Sequence, residues 1–275
     1  MRTSTAAIQA AENKGNPMKL LTRVTAVVLP MIFALNTSAN EIIEREYTIK
    51  DVNEVRVSSG INLVLTQGNT ESLNLKTSAE LLKYVRVDLT NNKLSLNVEK
   101  KFSEVSSWFN FDDVVFTLVV QNLELIDFSG GVDAKVGDLN LSELTVKTSG
   151  GSDADFTNLN VKEINIEASG GSDVDVAGIT SETVRVNVSG GSDFELKDSG
   201  TTHRLFVNAS GGSDFKAKKL DSLDVEVIAG GASDVDVKAS KTLKVNAGGA
   251  SDVNYYGNPQ VTSDIGGASD VTARQ

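Results

Sequence analysis

Seven aspartates recur at one place in a repeated phrase: Asp153, Asp173, Asp193, Asp214, Asp234, Asp252 and Asp270 each follow a serine and a glycine-rich turn. Two residues on, Asp155, Asp175, Glu195 and Asp236 form a second, broken set. If successive copies stack, neighbouring carboxylates repel by roughly 1 kcal/mol per pair even in water, so something must offset the repulsion. One answer is a hard cation such as Ca²⁺, which takes several carboxylate oxygens. Its candidate ligands are Asp153, Asp173, Asp193, Asp214, Asp234 and Asp252, and it is the one cofactor these residues suggest. The other answer is turn chemistry, in which each Asp or the preceding Ser bonds backbone groups beside the glycine corner. The residues favour turn chemistry.

Two further groups invite chemistry. Trp108, Phe109 and Phe111 cluster near Phe102 in a chain with a single Trp and 5% aromatics. They read either as an exposed binding tip or, preferably, as an apolar plug capping the first coil of a repeat stack. His203 is the sole histidine, and Gly200-Thr201-Thr202-His203 reads as a solvated loop. With no cysteine and no nucleophile motif beside it, a catalytic triad has nothing to build on.

The element that must position the aspartates is a repeat. Gly-Gly pairs begin at Gly130, Gly150, Gly170, Gly190, Gly211, Gly230, Gly248 and Gly266, at spacings of 20, 20, 20, 21, 19, 18 and 18. A fixed period of this kind means a solenoid. Each unit alternates apolar and polar residues with period two, as in Leu144-Thr145-Val146-Lys147, which means strand. A loop carrying one apolar residue, Leu159 in one unit, separates the strands. The expected fold is all-β: a right-handed parallel β-helix of 18–21-residue coils, preceded by a less regular β-rich lobe. Ile164, Ile166, Val184, Val186, Leu205, Val207, Val225, Val227, Leu243 and Val245 should stack inside it. The glycines should stack at one corner with positive φ. Calcium-binding toxin repeats have half this period and are excluded.

Residues 18–39 combine a basic start (Lys19, Arg23), a mostly apolar run from Val24 to Leu35 and small residues ending at Ala39. That is the layout of a secretory signal peptide, with residues 1–17 read as an upstream, mis-assigned start. Cleavage after Ala39 would remove four basic residues and one acidic residue, leaving 22 basic and 36 acidic side chains and a net charge of −14. Such a chain is a poor partner for nucleic acid. No segment of the mature chain has the length and apolarity of a transmembrane helix. The absence of cysteine excludes disulfides and a lipid-modified anchor. The expected division is signal peptide 1–39, N-terminal β lobe 40–128 and repeat region 129–275.

Within the lobe, short strands are expected between residues 45 and 120. Val55 to Leu63 looks like a diverged copy of Val184 to Phe194, so the solenoid is expected to begin here, with an antiparallel excursion before Val114. Ser59-Gly60-Ile61-Asn62-Leu63-Val64-Leu65-Thr66-Gln67-Gly68, Thr70-Glu71-Ser72, Ala79-Glu80-Leu81-Leu82, the Ser-Gly-Gly-Ser-Asp repeats and Tyr255-Tyr256-Gly257-Asn258-Pro259 resemble the head GIN domain family of autotransporter adhesins. The resemblance spans roughly residues 45–272. It implies a β-helical exported protein, an adhesin head of poorly defined role. A membrane barrel, a stalk and an anchor are absent from these residues.

Two function classes follow. The first is an exported, non-catalytic structural or adhesive binding module of the bacterial cell envelope, in the periplasm or on the outer surface, with a glycan or surface protein as partner. The second is a β-helical polysaccharide-degrading enzyme; a Ca²⁺-binding surface scaffold is a variant of the first. Enzymes on such folds need cleft walls built from long loops, which 18–21-residue coils leave no room for, and acid–base pairs in divergent environments, whereas this ladder repeats one environment. Asn254 to Gln260 is expected to fold over the last half-coil as a cap, giving a monomer with weak self-association; the competing reading leaves the end open to pair with a second copy or a partner protein.

Overall fold

The computed structural model describes residues 31–32, 41–99 and 114–275, so the signal-peptide layout and the aromatic cluster at Trp108, Phe109 and Phe111 lie almost wholly or wholly outside the described residues. The described chain forms one 19-stranded sheet. In the lobe the strands are β1 (Met31–Ile32), β2 (Ile42–Tyr47), β3 (Glu54–Ser58), β4 (Asn62–Gln67), β5 (Ser72–Ser78), β6 (Val85–Thr90), β7 (Lys93–Val98) and β8 (Val115–Val120). The repeats supply β9 (Leu125–Ser129), β10 (Asp133–Val136), β11 (Leu139–Ser149), β12 (Asp153–Ser169), β13 (Asp173–Gly190), β14 (Asp193–Gly211), β15 (Asp214–Ala229) and β16 (Asp234–Ala247). The last coil is β17 (Asp252–Tyr256), β18 (Gln260–Ile265) and β19 (Asp270–Arg274).

The repeat region is a solenoid of about eight coils, each nearly one continuous curved strand paired in parallel with its neighbours. The expected loop around Leu159 is therefore strand: Leu159 is buried and pairs with Leu139 and Ile179. Burial alternates along each coil and slips by one only at corners. In β12 the slips fall at Thr157-Asn158 and Lys162-Glu163, dividing the coil into a long face, a short face and a second long face. All ten residues expected in the core are at most 3% exposed. They stack in two rows, one running from Leu144 through Ile164, Val184, Leu205 and Val225 to Leu243.

Large and small residues compensate between rows. Phe194 and Phe215 stack face to face inside, ring centroids 5.0 Å apart. Each shares its coil with a small inward residue, Gly200 and Ala217 respectively, which keeps the interior close-packed. A Cβ on Gly200 would lie 2.8 Å from the Ile179 carbonyl oxygen and 2.7 Å from Leu220 Cδ1. The expected loop at Gly200–His203 is thus also strand; its glycine fills an inward position and does not mark a turn. The extra residue of this 21-residue coil is absorbed as a bulge between Leu196 and Ser199.

The lobe continues the same stack. β3 pairs in parallel with β9, and β4 with β10. β7 and β8 cover the other side of β3 and β4, so the first coil in sequence is flanked on both sides. The antiparallel excursion is β5 to β7: β5 pairs with β2 and β8, and β6 with β7. Across the rows Val55 matches Val186, not Val184, while Leu63 matches Phe194. The copy is therefore nine residues long on both sides.

At the far end no segment among the described residues folds over the last coil. Tyr255 and Tyr256 sit in the ladder of β17 opposite Val237 and Lys238, and β18 and β19 each have a partner on one side only among the described residues. The cap expected from Asn254 to Gln260 is absent because that stretch supplies a strand and a corner. All six residues of β18 are exposed, Val261 and Ile265 among them.

Candidate functional site

The glycine corners organise one long face. Aligned on strand pairing, the corner is a five-residue phrase whose second residue has positive φ in every coil: Gly130, Gly150, Gly170, Gly190, Gly211, Gly231, Gly249 and Gly267, at φ between +67° and +86°. Phrases with Ser-Gly-Gly-Ser-Asp and Gly-Gly-Ala-Ser-Asp are therefore in register, and the Gly-Gly spacing of 19 residues seen in the sequence is a shift within the corner. The fourth residue is a serine buried inside the solenoid from Ser152 to Ser269. Its hydroxyl donates to the carbonyl three residues back, as Ser172 Oγ does to Ser169 O (3.0 Å) and Ser213 Oγ to Ser210 O (3.0 Å). It also accepts from backbone of the preceding coil: Gly171 and Ser172 N–H both donate to Ser192 Oγ at 3.1 Å. The serine supplies the turn chemistry, satisfying buried backbone groups that would otherwise be orphaned.

The fifth residue is the aspartate. Asp133, missed from the set, heads a row that continues through Asp153, Asp173, Asp193, Asp214, Asp234 and Asp252 to Asp270. The side chains point outward, one per coil at about 4.8 Å intervals. Partial burial first, then the neighbouring aspartates, hold Asp153, Asp173 and Asp234 above the usual carboxylate range. Some repulsion is relieved by backbone, since the Asp214 N–H donates to Asp193 Oδ1 at 3.1 Å. The adjacent row differs. Lys135 and Lys216 interrupt its acids, and Lys197 bridges Asp175 (3.2 Å) and Glu195 (2.7 Å). Among the described residues, no three His, Asp or Glu side chains converge as a group that could hold a metal ion.

The raised carboxyls have a pH signature. A group whose pKa is raised on folding adds stability only while protonated, and that stability is lost as pH rises through the folded value. Asp173→Asn is accordingly expected to stabilise the protein at pH 7 by a few tenths to about 1 kcal/mol after solvent screening. The gain should vanish below the carboxylate range and shrink with salt. Thermal melts at pH 7 and pH 3.5, in low and high salt, check this; a gain equal at both pH values would disprove the repulsion.

A concavity on the short face was not foreseen from the sequence. Asn140, Asn160, Thr180, Thr201 and Asp221 form one outward row, all exposed. On one side a trough of about 710 Å³ runs along them, walled by the corner residues Lys162, Glu182, His203 and Leu223. On the other side a hollow of about 260 Å³ is bordered by Asn158, Gly178 and Ser199. Asn160 Nδ2 donates to Asn140 Oδ1 at 3.2 Å. At the border, Asp138 Oδ1 accepts from Thr157 Oγ1 (2.6 Å) and Asn158 Nδ2 (2.8 Å), which lowers its pKa. One end is closed by Gln67, which bonds both the N–H (2.7 Å) and the carbonyl (3.2 Å) of Asn140. At the other end Lys238 pairs with Asp221 at 2.6 Å, where the coils shorten to 18 residues and the short face nearly disappears. His203 thus lines a trough wall from a strand.

A family model for the putative auto-transporter adhesin head GIN domain matches residues 51–259. The chain belongs to the head GIN domain family. The motif that names the family is itself a corner of the first coil. Gly60 has φ +68°, Ile61 is fully buried, and Asn62 stands in the aspartate row beside Asp133. Solved structures share the fold. A putative adhesin from Parabacteroides merdae is 15% identical with a TM-score of 0.75, covering 86% of this chain and 97% of that one. A putative lipid binding protein from Parabacteroides distasonis is 16% identical with a TM-score of 0.71, covering 85% and 97%. A putative adhesin from Bacteroides fragilis is 18% identical with a TM-score of 0.63, covering 85% and 96%. A search of curated proteins found no match.

Proposed function

We propose that this head GIN protein is an exported, non-catalytic adhesive module of the bacterial cell envelope. The observation that carries the reading is the family match across residues 51–259, together with adhesin-like solved structures that cover nearly the whole solenoid. Three features support it. The sheet presents rows of one repeated environment, whereas acid–base catalysis needs carboxyls set apart by their surroundings. Among the described residues no helix is long and apolar enough to cross a membrane. Residues 18–39 have the basic, apolar and small-residue layout of an export signal. The partner is a glycan or a surface protein.

The test is retention with product analysis. Residues 40–275, displayed on beads, are incubated with immobilised polysaccharides and host glycoproteins. Beads are expected to adhere, with no reducing sugar released over many hours. Release of reducing ends would replace the adhesive reading with a degradative one.

A further inference from the structure

We propose that the trough on the short face binds a linear, uncharged carbohydrate chain lying along the solenoid axis. This rests on the adhesive reading and names its ligand class and site. The trough runs across coils, so its lining repeats at the coil spacing, about 4.8 Å. A ligand that meets each coil alike must be a polymer with polar groups at a comparable interval, lying extended. Asn140, Asn160, Thr180 and Thr201 offer uncharged amides and hydroxyls, which both donate and accept, the chemistry that recognises sugar hydroxyls.

Charge and apolarity narrow the class. The floor carries no basic residue and the wall a single lysine, Lys162, beside Glu182. With Lys162 offset by Glu182 and only His203 besides, the trough offers little to neutralise a polyanion in a chain of net charge −11. Leu223 is the one large exposed apolar side chain in the lining, too little to hold an acyl chain or an apolar peptide. The row also differs from the outward rows of the long faces, which are dominated by aspartates or broken by ion pairs. Within it, charge is confined to Asp221, which is tied to Lys238 at the closed end.

Affinity electrophoresis of residues 40–275 through gels holding neutral polysaccharides (a β-glucan, a mannan, a xylan), an anionic pectate or no polymer tests the site. Retardation by at least one neutral polymer is expected, weakened by about tenfold or more in Thr180→Arg/Thr201→Arg. Thr180→Ala/Thr201→Ala should weaken it less, and Asp173→Asn on another face should leave it unchanged. Thermal melts confirm folding, and the alanine pair answers if the arginine pair unfolds. The proposal is overturned if no neutral polymer retards the protein, if only pectate does, or if the trough variants bind as wild type does. Bead adhesion separates the two readings. Adhesion that survives the arginine pair leaves the adhesive module standing without this site, whereas neutral-polymer binding without any bead adhesion keeps the site and removes adhesion.

Discussion

Gly211→Ala is expected to cost about 2–4 kcal/mol, and Gly212→Ala, one residue along, less than about 0.5 kcal/mol. Gly211 has φ +83°, and a Cβ there would sit 2.7 Å from the Gly190 carbonyl oxygen and 3.0 Å from its nitrogen. Both neighbours are backbone of the coil behind, held in the ladder, so neither can move without unpairing a strand. Gly212 lies outside the left-handed region, and its nearest Cβ contact would be 3.8 Å. Its N–H donates to Gly190 O at 2.8 Å, as Ala232 N–H does to Gly211 O at 2.7 Å one coil later. The protein thus already places alanine at the matching site in later coils. Urea denaturation of the two variants decides the matter. Equal losses would mean that the corner rows are misaligned by one residue.

Phe215→Ala should cost about 3–5 kcal/mol, the range for emptying a buried aromatic site. The ring is fully buried, and its stacking partner Phe194 would face the void. Collapse is difficult because Ala217 and Gly200 beside the pair are already small, and each coil is fixed by the ladder on both sides. In a stack where each coil contacts only its neighbours, the damage should also uncouple the end. Amide exchange is expected to accelerate across Asp234 to Arg274 while residues 114–170 keep their protection. Phe206→Ala serves as the control. That ring faces outward under the Arg185 guanidinium, 4.9 Å away, and its removal should cost less than about 1 kcal/mol. Uniform acceleration of exchange along the whole chain would show that the solenoid unfolds as one unit.

Much of this architecture is legible in the residues because solenoid rows are built from sequence periodicity. Alternation puts Ile164 and Ile166 inside and Asp153 and Asp155 outside. A recurring Gly-rich phrase marks a corner, since few other residues tolerate its φ. The family resemblance includes the same corner, Ser59 to Asn62. The two segments read as loops, around Leu159 and at Gly200–His203, fail for a common reason. Each holds only one or two inward residues between corners, too few to show alternation, and Gly200 mimics a turn while filling a core position.

The sequence by itself determined the all-β solenoid, its coil length, its core rows and an outward row of aspartates, because these follow from spacing along the chain. Tertiary structure alone decided which residue of each corner stacks on which, and so showed Gly230 to be equivalent to Ser210 and Ala232 to Gly212. It also decided that the buried serines, and not the aspartates, supply most of the side-chain hydrogen bonds to the corner backbone. It brought Asn140, Asn160, Thr180, Thr201 and Asp221 into one line beside a trough. These five lie 20 or 21 residues apart in coils whose corners absorb insertions and bulges. Which of them align depends on how many residues each corner consumes, and that is set by packing against the neighbouring coil.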